Sequence, residues 1–314
     1  MTAITVVGSI NMDLLIEVPH LPSPGETVVG SDAVHRPGGK GANQAVAARR
    51  LGAEVTLIAA VGDDSFGVDL RATLQAEGVE TAHLATTPGT PSGLAFIVVR
   101  ADGENEIIVA PGANRLLDED TVGALPEQLA RSDSLLLQLE IPLRTNLAAA
   151  RQARHAGTRT ILNAAPLPQL PDPTFHELLE AVDVLVVNEG EAAQLSQHGG
   201  PTEAGGWMRV AQTLRELGPP VVVLTLGSQG AVAATESGSF AQRAFPVDTV
   251  DGTGAGDAFC GALAVALAAG HSTEDALRNA CATGALATSS AGAQAALPTY
   301  AEVDQLLAQI TVET

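Results

Sequence analysis

Lysine is almost absent from this sequence of 314 residues: Lys40 is the single example, against fifteen arginines. Cysteine is nearly as scarce, with Cys260 and Cys281 both in apolar, helix-like stretches. Two such residues make no disulfide framework, and buried free thiols are the plain reading. Aromatic residues amount to 3%, so Ala, Val, Leu and Gly must fill the interior, as they do where helices cover parallel strands. Positive charge is short overall, and the formal net charge is −20. A surface of that sign repels phosphodiester backbones and anionic lipid, which argues against nucleic acid and membrane partners. The longest apolar helical run, Ala258 to Gly270, is too short to span a bilayer. Met1 to Ile10 has no basic region of the kind that opens a signal peptide, so a cytoplasmic location is expected.

What the sequence does hold is a large reserve of apolar residues, 46%, with only 17% charged. That combination excludes a disordered chain. Short, continuously apolar and β-branched runs recur: Ile4 to Gly8, Val55 to Gly62, Ser134 to Glu140, Thr160 to Ala165, Val184 to Glu189 and Val221 to Gly227. Amphipathic stretches follow them, including about Ala42 to Leu51 and Val68 to Glu77. Such alternation predicts βα units around a buried parallel sheet. Two segments, about 14–36 and 93–110, instead alternate polar with apolar and carry turn signals without a helix between. They predict a small antiparallel sheet standing off the body as a lid.

Five motifs stand out. Pro37 to Ala48, PGGKGANQAVAA, sets the only lysine among glycines before a helix. A compact point charge beside a close backbone approach suits a ligand, although a lone lysine must fall somewhere. The sequence is no P-loop, since Gly41 follows Lys40. Val250 to Leu267, VDGTGAGDAFCGALAVAL, runs a glycine loop into a long apolar helix. Free amides at such a start can converge on an anion. Asp257 there serves either as a simple helix cap or as a base that takes a proton from an incoming hydroxyl. The stretch Val187 to Leu195 places Asn188 and Glu191 at a strand end, where Glu191 either favours a helix start or holds Mg²⁺ through water. Leu224 to Ala231, LTLGSQGA, is a strand entering a glycine turn. Near the start, GSINMD puts Asn11 and Asp13 after the first strand, suited to vicinal hydroxyls or to a turn. The seven histidines show no metal-ligand spacing, and no G-x-S-x-G elbow is present.

Taken together and in this order, with VGDDSFG (Val61 to Gly67) between them, these motifs resemble the ribokinase-like family of carbohydrate kinases over essentially the whole chain. The resemblance implies one α/β kinase domain over 1–314, a three-layer α-β-α fold with a central, mostly parallel sheet and a β-sheet lid. It implies phosphoryl transfer from ATP to a sugar hydroxyl, D-ribose at its 5-hydroxyl being the implied acceptor. A nucleoside, deoxyribose or a ketose is the nearest rival acceptor. The rival of another class is a non-catalytic nucleotide- or sugar-sensing module, which would have no use for a base.

Carried over by position, Asp257 is implied as the general base that also meets the substrate, with the amides of Gly254, Ala255 and Gly256 as the anion hole. Asn11, Asp13, Gly39, Lys40, Asn43 and Glu140 are implied to hold the sugar. Asn188, Thr225, Gly227, Ser228, Gly230, Gly256 and Cys281 are implied around the nucleotide, and Glu191 near Mg²⁺. A monovalent cation, K⁺, is implied at Asp251 and Thr253 with Ala287, Ser290 and Gly292, and pairing of lids implies a homodimer. Two positions depart from the family pattern. Cys281 stands where His or Asn is expected near the adenine, and Ala296 where Ser often helps the monovalent site.

Overall fold

In the computed structural model, which describes residues 2–100, 105–123, 126–196 and 205–312, the continuous apolar runs form strands buried on both faces. The strands are β1 (Ala3–Val7), β2 (Asn11–Val18), β3 (Val34–Gly38), β4 (Glu54–Gly62), β5 (Leu84–Thr87), β6 (Gly93–Arg100) and β7 (Asn105–Ala110). They continue with β8 (Ser134–Gln138), β9 (Arg159–Asn163), β10 (Val184–Asn188), β11 (Val221–Thr225), β12 (Ala231–Ala234) and β13 (Ser239–Gln242). Nine of them make the main sheet in the order β13-β12-β11-β10-β9-β8-β1-β4-β5. From β5 to β11 neighbours run parallel, and β12 and β13 join antiparallel at one edge.

Successive strand residues point to opposite faces, and here each face meets its own core. Leu136, Val184 and Val186 pack in one cluster with Ala258, Leu263 and Leu277. Leu135, Leu137, Leu185 and Val187 pack in the other with Leu178 and Leu214. The helices Lys40–Arg50, Ala255–Ala268 and Thr273–Ala287 cover the first face, and Leu143–Ala156, Pro173–Ala181 and Gly206–Leu214 the second. The result is three layers, with each buried Leu or Val contributing about 1.5–3 kcal/mol of hydrophobic stabilisation.

The chain leaves β1 for β4 on one side and later returns to β8 on the other. That makes β1 the switch point of the strand order, where open α/β sheets keep their ligand crevice, at the strand C-termini. The second sheet grows from the same point. Its order is β3-β2-β6-β7, with β2 antiparallel to β3 but parallel to β6. The parallel pairing departs from the all-antiparallel sheet that the alternation predicts. Its partners lie some eighty positions apart, beyond the reach of hairpin signals. Phe66, at the start of helix Ser65–Ala76, braces the outer face edge-to-face against His35, with ring centroids 5.4 Å apart. Asp64 caps that helix at Gly67 and also accepts from the amide and hydroxyl of Ser92, just before β6. The VGDDSFG segment thus ties the small sheet to the main body.

Candidate functional site

A cleft of about 480 Å³ opens at the C-terminal end of β1, between the small sheet and the main body. This lies within the range of small-molecule pockets, roughly 300–1,000 Å³. It brings together Asn11, Asp13, Gly39, Lys40, Asn43 and Glu140 with Asp251, Thr253, Gly254 and Asp257. Residues up to 246 positions apart in sequence therefore share one wall-to-wall site. Ala95, Ile97, Ile107 and Val109 of the small sheet close its apolar side.

Two helices start at this cleft, and small residues let them approach closely. A Cβ on Gly261 would stand 2.7 Å from the Cβ of Ala47, so only glycine fits where the helices cross. One turn earlier on each helix, the same approach sets Asn43 and Gln44 against Asp257. Asn43 Nδ2 donates to Asp257 Oδ2 at 2.9 Å and Gln44 Nε2 to Oδ1 at 3.0 Å. Asp257 itself is 6% exposed.

The residue that caps this helix is Gly254, at φ 79, and no side chain caps it. The cap reading of Asp257 is thereby corrected: its carboxylate is held by amides of the neighbouring helix, not by its own backbone. A Cβ on Gly254 would meet the Cα of Ala293 at 2.9 Å, which with the positive φ demands glycine. Ala255 N turns back on the Gly252 carbonyl at 3.2 Å. The exposed Gly256 stands at the mouth of the uncapped, positive end of the helix.

On the opposite wall, Ser9 Oγ donates to Glu140 Oε2 at 2.5 Å, and the Lys40 amide donates to the same oxygen at 3.1 Å. Asn114 Nδ2 donates to Asn11 Oδ1 at 2.8 Å and so fixes that side chain. Gly39, at φ 89, lets the chain pass so near Asn11 that a Cβ would lie 2.7 Å from its amide nitrogen. Three carboxylates crowd the site. Burial first, then Glu140 and Asp257, pushes Asp13 from 3.8 to about 7. Burial acts against the Lys40 charge, but Asp257, Glu140 and Glu191 outweigh it and hold the ammonium above its usual value. Lys40 thus senses both the acceptor wall and Glu191.

The residues assigned to the nucleotide do not line this cleft; they sit on neighbouring strand ends. Asn188 ends β10 and caps helix Glu189–Leu195. Its Oδ1 accepts from the Glu191 amide and Glu191 Oε2 from the Asn188 amide, each at 2.8 Å, a reciprocal capping box. Glu191 therefore does start the helix, and burial holds its carboxyl above the ordinary range despite the Asn188 amide and Lys40. Thr225 ends β11, and Gly227 and Ser228 are exposed in the turn to Gly230. Cys281 is 6% exposed inside helix Thr273–Ala287, and burial pushes its thiol up to about 12.

Asp251 links two loops: Oδ1 accepts from the Thr253 amide and hydroxyl, at 2.9 and 2.6 Å, and Oδ2 from the Gly292 amide at 2.8 Å. Burial opposes its charge, but these bonds and Arg36 win and hold its carboxyl low. Ala287 is buried at the end of its helix, Ser290 is exposed, and Ala296 is buried beyond them. Sequence reasoning passed over Ser9, Gln44, Asn114, Gln138 and Asn163. Gln138 and Asn163 carry one signal, a polar residue at the end of a buried strand, in SLLLQ and RTILN.

The pfkB family of carbohydrate kinases matches residues 1–300. The chain belongs to that family. Among pfkB relatives, the ribokinase of Haemophilus influenzae is 39% identical over 304 residues, spanning 97% of this chain and 98% of its own. The ribokinase of Bacillus subtilis is also 39% identical, over 307 residues, spanning 98% of this chain and all of its own. In shape, this pfkB chain matches the Arabidopsis thaliana ribokinase complexed with ribose and ATP at a TM-score of 0.88 and 31% identity. That match covers 98% of this chain and 99% of the other.

Proposed function

We propose that this protein transfers the γ-phosphoryl group of ATP to the 5-hydroxyl of D-ribose. The observation that carries the reading is the buried Asp257 carboxylate, held at an uncapped helix N-terminus in the same cleft as Asn11, Asp13, Asn43 and Glu140. The family and the ribokinase relatives support the same reaction.

Asp257 accepts the proton of the acceptor hydroxyl as its oxygen attacks phosphorus in line. The amides of Gly254 and Gly256, joined by that of Ala255 once it leaves the Gly252 carbonyl, would face the charge that develops on the transferring oxygens, with Lys40 beside them. Asn11, Asp13, Gly39, Asn43 and Glu140 grip the sugar. Asn43 lines the cleft with a buried Oδ1 that has no partner among the described residues, which suits a donated sugar hydroxyl. Asn188, Thr225, Gly227, Ser228 and Gly230 take the nucleotide, with Cys281 packed behind its base.

Mg²⁺ would be held near Glu191 through phosphate oxygens and water, and would there neutralise phosphate charge. K⁺ would be held by oxygens of Asp251, Thr253, Ala287, Ser290 and Gly292. The small sheet serves as a lid whose closure excludes water.

ADP release with Mg-ATP and K⁺ across D-ribose, 2-deoxyribose, fructose, adenosine and pseudouridine tests the reading. A selective D-ribose signal is the expected result. Turnover of another acceptor replaces the substrate but keeps the mechanism, and silence throughout favours a sensing module.

Strand β7 is an edge strand; Ile107 and Val109 face the cleft, and Ile108, on the other face, is 68% exposed. Apolar edges of this kind need cover, and a second copy's small sheet is the proposed cover. Ile108→Glu should convert the dimer to a monomer by sedimentation velocity; a wild-type chain that sediments as a monomer would overturn the pairing.

A further inference from the structure

Buried amide side chains meet beneath Asp257. Gln44 is fully buried, at 0% exposure, and every polar atom of its amide is engaged. Its Nε2 donates to Asp257 Oδ1 at 3.0 Å and to Asn163 Oδ1 at 3.2 Å. Its Oε1 accepts from Gln138 Nε2 at 2.7 Å. Turning the amide over would set its oxygen against the Asp257 carboxylate and its NH₂ against the NH₂ of Gln138. Both contacts would be repulsive, so the orientation has one solution.

The anchors behind Gln44 belong to the rigid frame. Gln138 and Asn163 are the last residues of β8 and β9 and lie opposite each other in register. The Gln138 carbonyl accepts from Asn146 Nδ2 at 2.8 Å, a residue of helix Leu143–Ala156 on the far face of the sheet. A Cβ on Gly8 would stand 2.0 Å from Gln138 Oε1, so the glycine after β1 makes the room this amide occupies.

We infer that Gln44 is a positioning residue for phosphoryl transfer, fixing the direction of the Asp257 carboxylate. The inference rests on the reading of Asp257 as the base. A carboxylate can rotate about its own bond. Donors on both oxygens, Asn43 on one and Gln44 on the other, hold it in one rotation aimed at the acceptor hydroxyl. Both donors are neutral, so they add no charge to a site where Lys40 from the same helix as Gln44, Asp13 from the small sheet and Cys260 from its own helix already face Asp257. A sugar ligand such as Asn43 must also answer to the substrate. Gln44, turned toward the strand ends, answers only to the frame.

Gln44→Met keeps the length and removes the donor. In the full chain, kcat should fall about 10–100-fold while the KM values for ribose and ATP stay within about threefold. Gln138→Met, which removes the donor to Gln44 Oε1, should lower kcat in smaller measure, again with the KM values kept. A purely structural role would lower Tm in both variants and leave kcat at the wild-type value. A folded Gln44→Met with wild-type kcat overturns the inference. If that variant does not fold, wild-type kcat in Gln138→Met overturns it instead. Asp257→Asn, run alongside, separates the two readings: turnover surviving there sinks the base itself. An inactive Asp257→Asn beside an unmoved Gln44→Met sinks the role of Gln44 alone.

Discussion

Asp257→Asn should cut kcat by about a thousandfold while nucleotide affinity changes by less than about threefold. The size follows from what a positioned base supplies, typically 10²- to 10⁴-fold. The selectivity follows from geometry. Asp257 lies on the acceptor side of the helix start, 6% exposed, and its contacts are Asn43 and Gln44 rather than the strand ends after β10 and β11. An asparagine keeps the shape and can still accept one of the two amide bonds, so the fold stands. Single-turnover kinetics together with nucleotide titration would decide the matter. Turnover within about tenfold of wild type would mean that the hydroxyl loses its proton elsewhere.

Asp13→Asn should have two opposite effects. The KM for the sugar should rise about a hundredfold, because a charge-assisted acceptor is lost from a closed polar wall. The unliganded protein should meanwhile become more stable at pH 8 by roughly 2–4 kcal/mol. The sign comes from the raised carboxyl. Between 3.8 and about 7 the folded state binds a proton that the unfolded state has released. Wild-type stability therefore falls as pH rises through that window, and the full penalty stands above it. The variant lacks the titration and keeps its stability. Urea unfolding at pH 5 and pH 8 measures the effect; equal gains at both values would refute it. The same titration predicts that sugar binding in the wild type releases protons near pH 7, because the bound sugar favours ionised Asp13.

The layers were legible in the sequence because the central strands of the main sheet are continuous apolar runs; the edge strands LATT and SFAQ are not, and were missed. Val184–Asn188 and Ser134–Gln138 read as buried strands from composition alone. The parallel pairing of β2 with β6 was not legible, since register between distant segments is set by packing and not by turns. The start of helix Ala255–Ala268 misled for a local reason. Asp is a favoured cap, and only the left-handed turn at Gly254 shows that the helix begins three residues earlier. Among the cleft residues, Asn11, Asp13 and Asn43 were legible because they stand in motifs. Gln44 and Gln138 escaped because their partners lie across the sheet, where a neighbour in space leaves no periodic trace.

The placement of Lys40 has a consequence for handling the protein. In a chain with one lysine, that lysine lines the cleft and is kept charged by three carboxylates. The side-chain amine that acylating or aldehyde reagents seek is thus absent from the outer surface and present once, inside the pocket. Because the ammonium is held charged and only the free amine reacts, side-chain labelling should be slow at neutral pH and confined to the cleft, and a bound ligand is its shield. Dyes, resins and crosslinkers meant for the exterior must be attached through acids or engineered thiols instead.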